Sequence, residues 1–407
     1  MEHSQPGLAP SNGENLALLQ LTHISGLGPT LIRRLVDKFG SPAAALAESP
    51  AAWSTIKGMR KEIVANLGAI TRAAAQSALR ELELAASLGV HVTTYLDADF
   101  PALLGAVPSG PVLLYVRGTI GELDRFPVAI VGSRQCSQYG LEQARRFAGS
   151  LAAAGLTVVS GGAKGIDAAA HSAALVAKGR TIAVMGCGLA HCYPEEHADL
   201  FEKIAASGAL VSELPLATAP SAENFPMRNR IISGLSLGVV VIEAGLKSGA
   251  LITAQVAAED HGRDVMAVPG RVDSPASRGT LELLKGGGAM LVTDPADVVH
   301  TLEAAARHVV GGTHAVRFAP VAAETDGTES GASLFAVAKA ATPPTVLATP
   351  TQARILDALA SKATIDQLVA ATGFESHRLR AELTMLELAK RVRREGSLFS
   401  RTDGAGG

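Results

Sequence analysis

Between residues 127 and 268, five short runs that are apolar at nearly every position alternate with longer segments of helical periodicity. A strand without polar alternation has both faces covered, as in a parallel sheet flanked by helices. The intervening segments have about the length that a βαβ crossover needs. The pattern therefore predicts an α/β fold with a doubly wound parallel sheet, its strands at 127–131, 156–160, 181–185, 238–244 and 264–268.

Residues 14–88 have helical periodicity throughout and predict an N-terminal helical domain. Ile32, Leu35 and Phe39 share one helix face directly after a tight turn at 26–28, and a weaker copy of that turn occurs at 56–59. Such turns are typical of helix-hairpin-helix modules, whose glycine amides can face a phosphate. They are equally typical of an ordinary helical domain, such as a SAM-like one. The next segment, 92–118, has strand-like ends and is expected to extend the sheet.

The C-terminal quarter of the chain predicts a linker and a second small domain. Periodicity is lost over 308–350, where Ala, Thr and Pro predominate, and this composition is typical of a flexible linker. Three short helical segments and a hairpin pattern follow over 351–403, as in a winged-helix domain. Thr364 and Gln367 form a capping-box pattern at the second helix. The hairpin region 390–401 has a local charge of +4, which suits duplex DNA, while a protein-docking role is equally compatible.

Composition narrows the class of protein. Of the 407 residues, 47% are hydrophobic and 18% are charged, and the net charge is −2. An anionic ligand therefore requires a local basic patch rather than a general field. Three cysteines cannot form a disulfide framework and favour a reducing, cytoplasmic location. The sequence has no signal-peptide pattern and no apolar segment long enough to cross a bilayer, so we expect no membrane partner.

The loops that follow the predicted strands are rich in glycine and contain basic residues. In a doubly wound sheet, ligands bind outside the carboxyl ends of the strands, where amide groups and helix N-termini favour anions. Arg134 and Lys164 add full charges there, and a guanidinium can hold a phosphate with two hydrogen bonds. We therefore expect an anion site that includes Gly132, Ser133, Arg134, Gly161, Gly162, Lys164, Gly165, Lys247 and Ser248.

A polar cluster near residue 225 adds a second kind of contact. Phe225 and Pro226 are expected in a loop, and Arg228, Asn229 and Arg230 at the start of a helix. A single nucleic-acid strand requires charge for its phosphates and a flat face for its bases, and this cluster offers both. The alternative is that Phe225 fills a core gap and the arginines form ordinary surface ion pairs.

Several well-known catalytic patterns are missing from the sequence. No G-x-G-x-x-G follows the first strand, and no G-x-x-x-x-G-K-[ST] loop is present, which argues against a dinucleotide site and against a nucleoside-triphosphate hydrolase. Cys187, His191, Cys192 and His197 have side chains that suit zinc, but their spacing does not. We expect no catalytic residue, no metal and no cofactor.

Five long segments stand out in order along the chain: VAIVGSR (128–134), VVSGGAKGIDAAAH (158–171), FPMRNRIISGLS (225–236), SGALITAQVAAE (248–259) and VMAVPGRV (265–272). Together they resemble the DprA/Smf family of DNA-processing proteins, and the resemblance covers about residues 90–300. One departure is Leu281, which stands where the family commonly has Asn or His.

The resemblance implies a Rossmann-like DNA-binding domain over 90–305, a homodimer, and a non-catalytic protein. The implied function is to bind and protect incoming single-stranded DNA and to load the RecA recombinase onto it during natural transformation. The implied phosphate contacts are Ser133, Arg134, Gly161, Gly162 and Lys164, and the run at 225–230 contributes Phe225, Arg228 and Asn229.

Two other functions stay open on the residues alone. One is a nucleotide phosphoribohydrolase, although its Pro-Gly-Gly-x-Gly-Thr loop is missing from this sequence. The other is a winged-helix transcription regulator, which would require tight duplex binding by residues 350–407.

Overall fold

The computed structural model describes residues 13–108, 110–310, 350–359, 361–388, 391–395 and 398–402. They fall into two compact units, one up to residue 310 and one from residue 350. The first three residues of the predicted linker end a helix and its last residue begins another, while 311–349 lie outside the described residues. Among the described helices, none is long and apolar enough to span a membrane.

Six helices, five of them short, make up the described N-terminal part of the first unit. Proline begins three of them, because a residue without an N–H costs little in the first turn. Trp53 lies fully buried among them and donates its indole N–H to the carbonyl oxygen of Ala45 at 2.8 Å. These helices are α1 (Gly13–Thr22), α2 (Pro29–Phe39), α3 (Pro42–Ala47), α4 (Pro50–Ser54), α5 (Lys61–Ala65) and α6 (Leu67–Ser87).

A sheet of nine strands forms the centre of the described first unit. Its order is β1-β2-β6-β5-β4-β3-β7-β8-β9, parallel from β6 to β9, with β1 and β2 antiparallel at one edge. The predicted α/β fold with a parallel sheet is confirmed. The strands are β1 (Val90–Thr94), β2 (Leu113–Gly118), β3 (Pro127–Val131), β4 (Thr157–Ser160), β5 (Thr181–Val184), β6 (Ala209–Ser212), β7 (Gly238–Val241), β8 (Asp264–Ala267) and β9 (Met290–Leu291).

Helices cover both faces of this sheet, and the strand order locates a crevice. From β3 the chain proceeds through β4 and β5 to β6 on one side, whereas β7, β8 and β9 lie on the other side. The loops after β3 and β7 therefore diverge and leave a crevice, the usual ligand position in such sheets. The helices are α7 (Ala102–Gly105), α8 (Gln138–Ala153), α9 (Ile166–Val176), α10 (Ala198–Ser207), α11 (Asn224–Gly234), α12 (Gly249–Glu259), α13 (Arg278–Lys285) and α14 (Pro295–Val310).

The second unit has the three helices and the hairpin that the sequence predicts for a winged-helix domain. At the second helix, Thr364 accepts a hydrogen bond from the Gln367 amide, and the Gln367 side chain accepts one from the Thr364 amide, so the capping box is confirmed. Its elements are α15 (Pro350–Ala358), β10 (Ala363–Thr364), α16 (Ile365–Thr372), α17 (Ser376–Leu388), β11 (Val392–Glu395) and β12 (Leu398–Arg401).

A buried ion pair holds the amino ends of the central strands. Arg180, just before β5, donates from Nε to Asp124 Oδ1 at 2.8 Å and from Nη2 to Oδ2 at 2.9 Å. Asp124 also accepts the hydroxyl hydrogen of Thr157, and its side chain is only 3% exposed. A carboxylate so enclosed depends on its partner, because an uncompensated buried charge is costly.

We predict that Arg180→Ala lowers the free energy of unfolding by about 3–5 kcal/mol, because it leaves the buried Asp124 charge unpaired. Urea titration followed by circular dichroism measures the change. Arg125→Ala is the matched control, since Arg125 pairs with an exposed Glu122, and it should cost less than about 1 kcal/mol. Equal unfolding midpoints for the two variants would contradict the prediction.

Candidate nucleic-acid interface

A cleft of about 980 Å³ lies at the carboxyl ends of the parallel strands, where the loops after β3 and β7 diverge. We call it the edge cleft. Residues from six stretches of chain surround it, which is typical of a site at the switch point of a doubly wound sheet. They are 131–135, Ala163, Asp167, Tyr193, 220–222, Phe225, Pro226, Arg228, Asn229, Ile232, Gly245, 247–250, Thr253, Pro275 and Ala276.

The chain supplies its own carboxylate at the N-terminus of α8. Glu243, which follows β7 and is 2% exposed, accepts the amide and the hydroxyl hydrogens of Ser137, both at 2.6 Å. Ser137 Oγ in turn accepts the amide hydrogen of Gly140 and caps the helix. The positive end of α8 is thus neutralised from within, and the loop after β3 is fixed to the loop after β7.

A second internal carboxylate corrects the prediction for the turn after β4. Asp167 Oδ2 accepts the amides of Gly161 and Ala163, at 3.2 and 3.4 Å, and the amide of Gly162 donates to Nε2 of His171 at 3.3 Å. The glycine pattern suggested that these amides are free to bind a phosphate, but in the structure they are already bonded within the chain. The reason is that the first turn of α9 places an acidic side chain directly under the turn.

Arg228 lines the edge cleft, but its side chain is mostly buried and is bonded to the turn after β4. It is 5% exposed and donates to the carbonyl oxygens of Gly161 and Val184. Burial lowers the pKa of Arg228 to about 10, and Asp167 opposes that shift. Burial likewise raises the pKa of Asp167, with Arg228 as the largest opposing influence. Arg228 is therefore largely enclosed by the protein, and its contact with a strand stays a prediction.

Arg134 and two aromatic rings meet on one side of the edge cleft. The exposed guanidinium of Arg134 lies over the ring of Phe225, with its Cζ 5.0 Å from the ring centroid, and the ring of Tyr193 lies 5.5 Å from that of Phe225. Phe225 and Pro226 belong to the first turn of α11 and not to a loop as predicted. Pro226 is tolerated there because the amides of a first turn have no partner within the helix.

The loop after β7 brings a second cation to the edge cleft. Lys247 is exposed and lines the cleft, and no carboxylate pairs with it among the described residues. Ser248 caps α12 by accepting the Ala250 amide at 3.3 Å. Asn229 donates to the Gly249 carbonyl oxygen at 3.3 Å and so ties α11 to the start of α12. Unlike the first turn of α9, which contains Asp167, that of α12 contains no acidic residue.

Five of the predicted site residues do not line the cleft. Gly161 and Gly162 lie beneath it, and Gly165, with φ of +78°, lies where a Cβ atom would approach the Ser133 carbonyl oxygen to 2.5 Å. Lys164 pairs with Glu196 at 2.5 Å, and that hydrogen bond lowers the pKa of Glu196. Arg230 pairs with the largely buried Glu213. The other eight line the cleft: Gly132, Ser133, Arg134, Phe225, Arg228, Asn229, Lys247 and Ser248.

The sequence analysis missed Tyr193, Asp167 and the loop at 220–222 as parts of the site. Tyr193 follows β5 by nine residues, in a loop at this edge whose far end the glycine pattern does not mark. Following every loop at the carboxyl edge to its end would have found it. Leu281, the departure from the family pattern, does not line the cleft.

Comparison with known proteins gives family matches for both units. The family model described as DNA recombination-mediator protein A matches residues 91–303, and that of the DprA winged helix domain matches residues 338–396. A solved structure of DNA processing protein A from Streptococcus pneumoniae is 34% identical, with a TM-score of 0.61, and the match covers 70% of this chain and 97% of that one.

Two curated relatives agree with these matches. Protein Smf of Synechocystis sp. is 38% identical over 288 residues, which are 70% of this chain and 72% of that protein. Protein Smf of Escherichia coli is 48% identical over 209 residues, 51% of this chain and 55% of that protein. With a family model over more than half of its length and a relative of this similarity, the chain belongs to the DprA/Smf family of DNA-processing proteins.

Proposed function

We propose that this protein binds single-stranded DNA in the edge cleft. The observation that carries the proposal is the presence, in one cleft, of two exposed cations, Arg134 and Lys247, beside the rings of Phe225 and Tyr193. Cations attract the phosphates of any nucleic acid, but rings can stack only on bases that are not already stacked in a duplex. A single strand is the ligand that uses both.

The positions of the cations support a phosphate path across the cleft. Arg134 follows β3 and Lys247 follows β7, and these strands are neighbours. The N-terminus of α12 adds a positive end beside Lys247. Because Asp167 and Glu243 neutralise the other two turns from within, the path from Arg134 to Lys247 is the most favourable route for a strand. The other predicted contacts, Gly132, Ser133, Asn229 and Ser248, lie along it as backbone and polar groups.

We propose further that the protein protects incoming strands and loads RecA onto them during natural transformation, in the cytoplasm. The recombination-mediator family supports this role.

We also propose that the protein has no catalytic activity. His171 lies next to the turn after β4, but it is completely buried and is hydrogen-bonded to Gly162 and Thr181. Burial lowers the pKa of His171 to about 3. His171 therefore has no route to a substrate.

We predict that Arg134→Ala and Lys247→Ala each weaken binding of an oligo-dT strand and reduce the salt slope, d log K/d log[salt], by about 0.7 in magnitude, the contribution of one phosphate contact on a single strand. Binding isotherms at four salt concentrations give the slopes. Arg125→Ala removes a cation at the opposite end of β3 and should leave the slope unchanged. If Arg134→Ala and Arg125→Ala give the wild-type slope with folding intact, the proposed site is wrong.

We predict that a chain ending at Val310 keeps most of the affinity for single strands, because every residue that lines the edge cleft precedes that position. Circular dichroism first establishes that the shortened chain is folded. Its isotherm for oligo-dT is then compared with that of the full chain. A folded chain that no longer binds single strands would assign the binding to the winged-helix unit instead.

We propose that the homodimer implied by the family resemblance forms along β9. This strand is the last in the order of the described sheet, and Met290 and Leu291 on it are 44% and 59% exposed. An uncovered apolar edge strand is a surface that pairs readily with a second copy.

We predict that Leu291→Lys shifts the protein from dimer to monomer in sedimentation velocity at micromolar concentration. A charge placed on a buried apolar contact opposes its desolvation. Val176→Lys is the control, because Val176 is 84% exposed at the end of α9, and it should leave the sedimentation coefficient unchanged. A Leu291→Lys protein that sediments like the wild type would place the dimer contact elsewhere.

A further inference from the structure

The ring of Phe225 is enclosed by neighbours on several sides. A Cβ atom added to Gly186 would lie 2.5 Å from Cδ1 of Phe225, so the ring packs directly on the glycine backbone. The guanidinium of Arg134 covers it at 5.0 Å, and Tyr193 contacts it at 5.5 Å between centroids. These contacts leave Phe225 half-buried, with little of its surface open to a further flat group.

Tyr193 differs from Phe225 in its exposure. It is 41% exposed, it lines the edge cleft, and among the described residues its hydroxyl makes no hydrogen bond. Tyr139, which is 39% exposed, does not line the cleft, and its hydroxyl donates to the Pro269 carbonyl oxygen at 2.7 Å. Of these two tyrosines, Tyr193 alone offers an exposed ring to the cleft.

The spacing of the two rings determines where a base can lie. Centroids 5.5 Å apart and planes inclined at 37° describe rings in direct contact. A base therefore has no room between Tyr193 and Phe225 and must stack on the outer face of the pair. That outer face belongs to Tyr193, because Gly186 and Arg134 already contact the other ring.

We propose that Tyr193 is the ring on which a base of the bound strand stacks, and that Phe225 is a positioning residue that holds Tyr193 and Arg134 in place. This assignment rests on the proposed binding of single-stranded DNA in the edge cleft. The sequence analysis had assigned the base-stacking role to Phe225. It also makes the base contact and the Arg134 phosphate contact dependent on one shared support.

The experiment compares two strands of equal length, oligo-dT and a strand of abasic sites, which have the same phosphates but differ in their bases. For the wild-type protein, the dissociation constant of the abasic strand divided by that of oligo-dT measures how much the bases contribute to binding. Tyr193→Ala should reduce this ratio by roughly 5- to 100-fold, the range for the loss of one stacked base. Its affinity for the abasic strand should stay within about two-fold of wild type. Tyr193→Phe keeps the ring and should keep the ratio, and so should the control Tyr139→Ala.

A second pair of variants tests the supporting role. Phe225→Ala should lower the ratio and also weaken binding to the abasic strand, because Arg134 loses its support as well. In the Tyr193→Ala background, Phe225→Ala should not lower the ratio further, since residues that act through one another are not additive.

The outcomes distinguish this inference from the proposed function on which it rests. If the wild-type protein binds neither strand, single-strand binding itself is wrong. If it binds both and Tyr193→Ala keeps the wild-type ratio, the assignment of Tyr193 is overturned. It is overturned as well if Tyr193→Ala weakens binding of both strands equally, which is the signature of a structural role.

Discussion

Two buried carboxylates determine which part of the carboxyl edge is open to a ligand. Asp167 accepts the amides of the turn after β4, and Glu243 accepts the amide and the hydroxyl at the start of α8. Each occupies the place that a bound anion takes at a helix N-terminus. The amides bonded to these two carboxylates are not available to an external phosphate. The remaining groups for such a phosphate are Arg134, Lys247 and the start of α12.

The same constraint divides the residues of the 225–230 run into two groups. Arg228 is buried and donates to the carbonyl oxygens of Gly161 and Val184, and Arg230 pairs with the largely buried Glu213. Breaking a buried ion pair such as Arg230–Glu213 leaves a charge in the interior, at a cost of about 3–5 kcal/mol. Phe225, Pro226 and Asn229 line the cleft and are more exposed than Arg228.

The sequence was a good guide to the sheet and to the edge that carries the site, because apolar strands and glycine turns are local patterns. It did not reveal β6, whose four residues lie within an alanine-rich stretch between two polar segments. It placed Arg134, Phe225 and Lys247 together correctly, since parallel strands end at one edge. It did not predict that Arg228 is buried or that Asp167 accepts the amides of Gly161 and Ala163, because both depend on the direction of a side chain. Tyr193 was missed because its loop is long and ends far from the glycines.

The edge cleft is made from segments that are far apart along the chain. Ser137 and Glu243, which join its two central loops, are separated by 106 positions, and the last lining residue is Ala276. A nascent chain on the ribosome therefore has no complete cleft until Ala276 has emerged. Before that point it presents only separate turns and isolated cations, so the full set of lining residues comes together in a single step of synthesis.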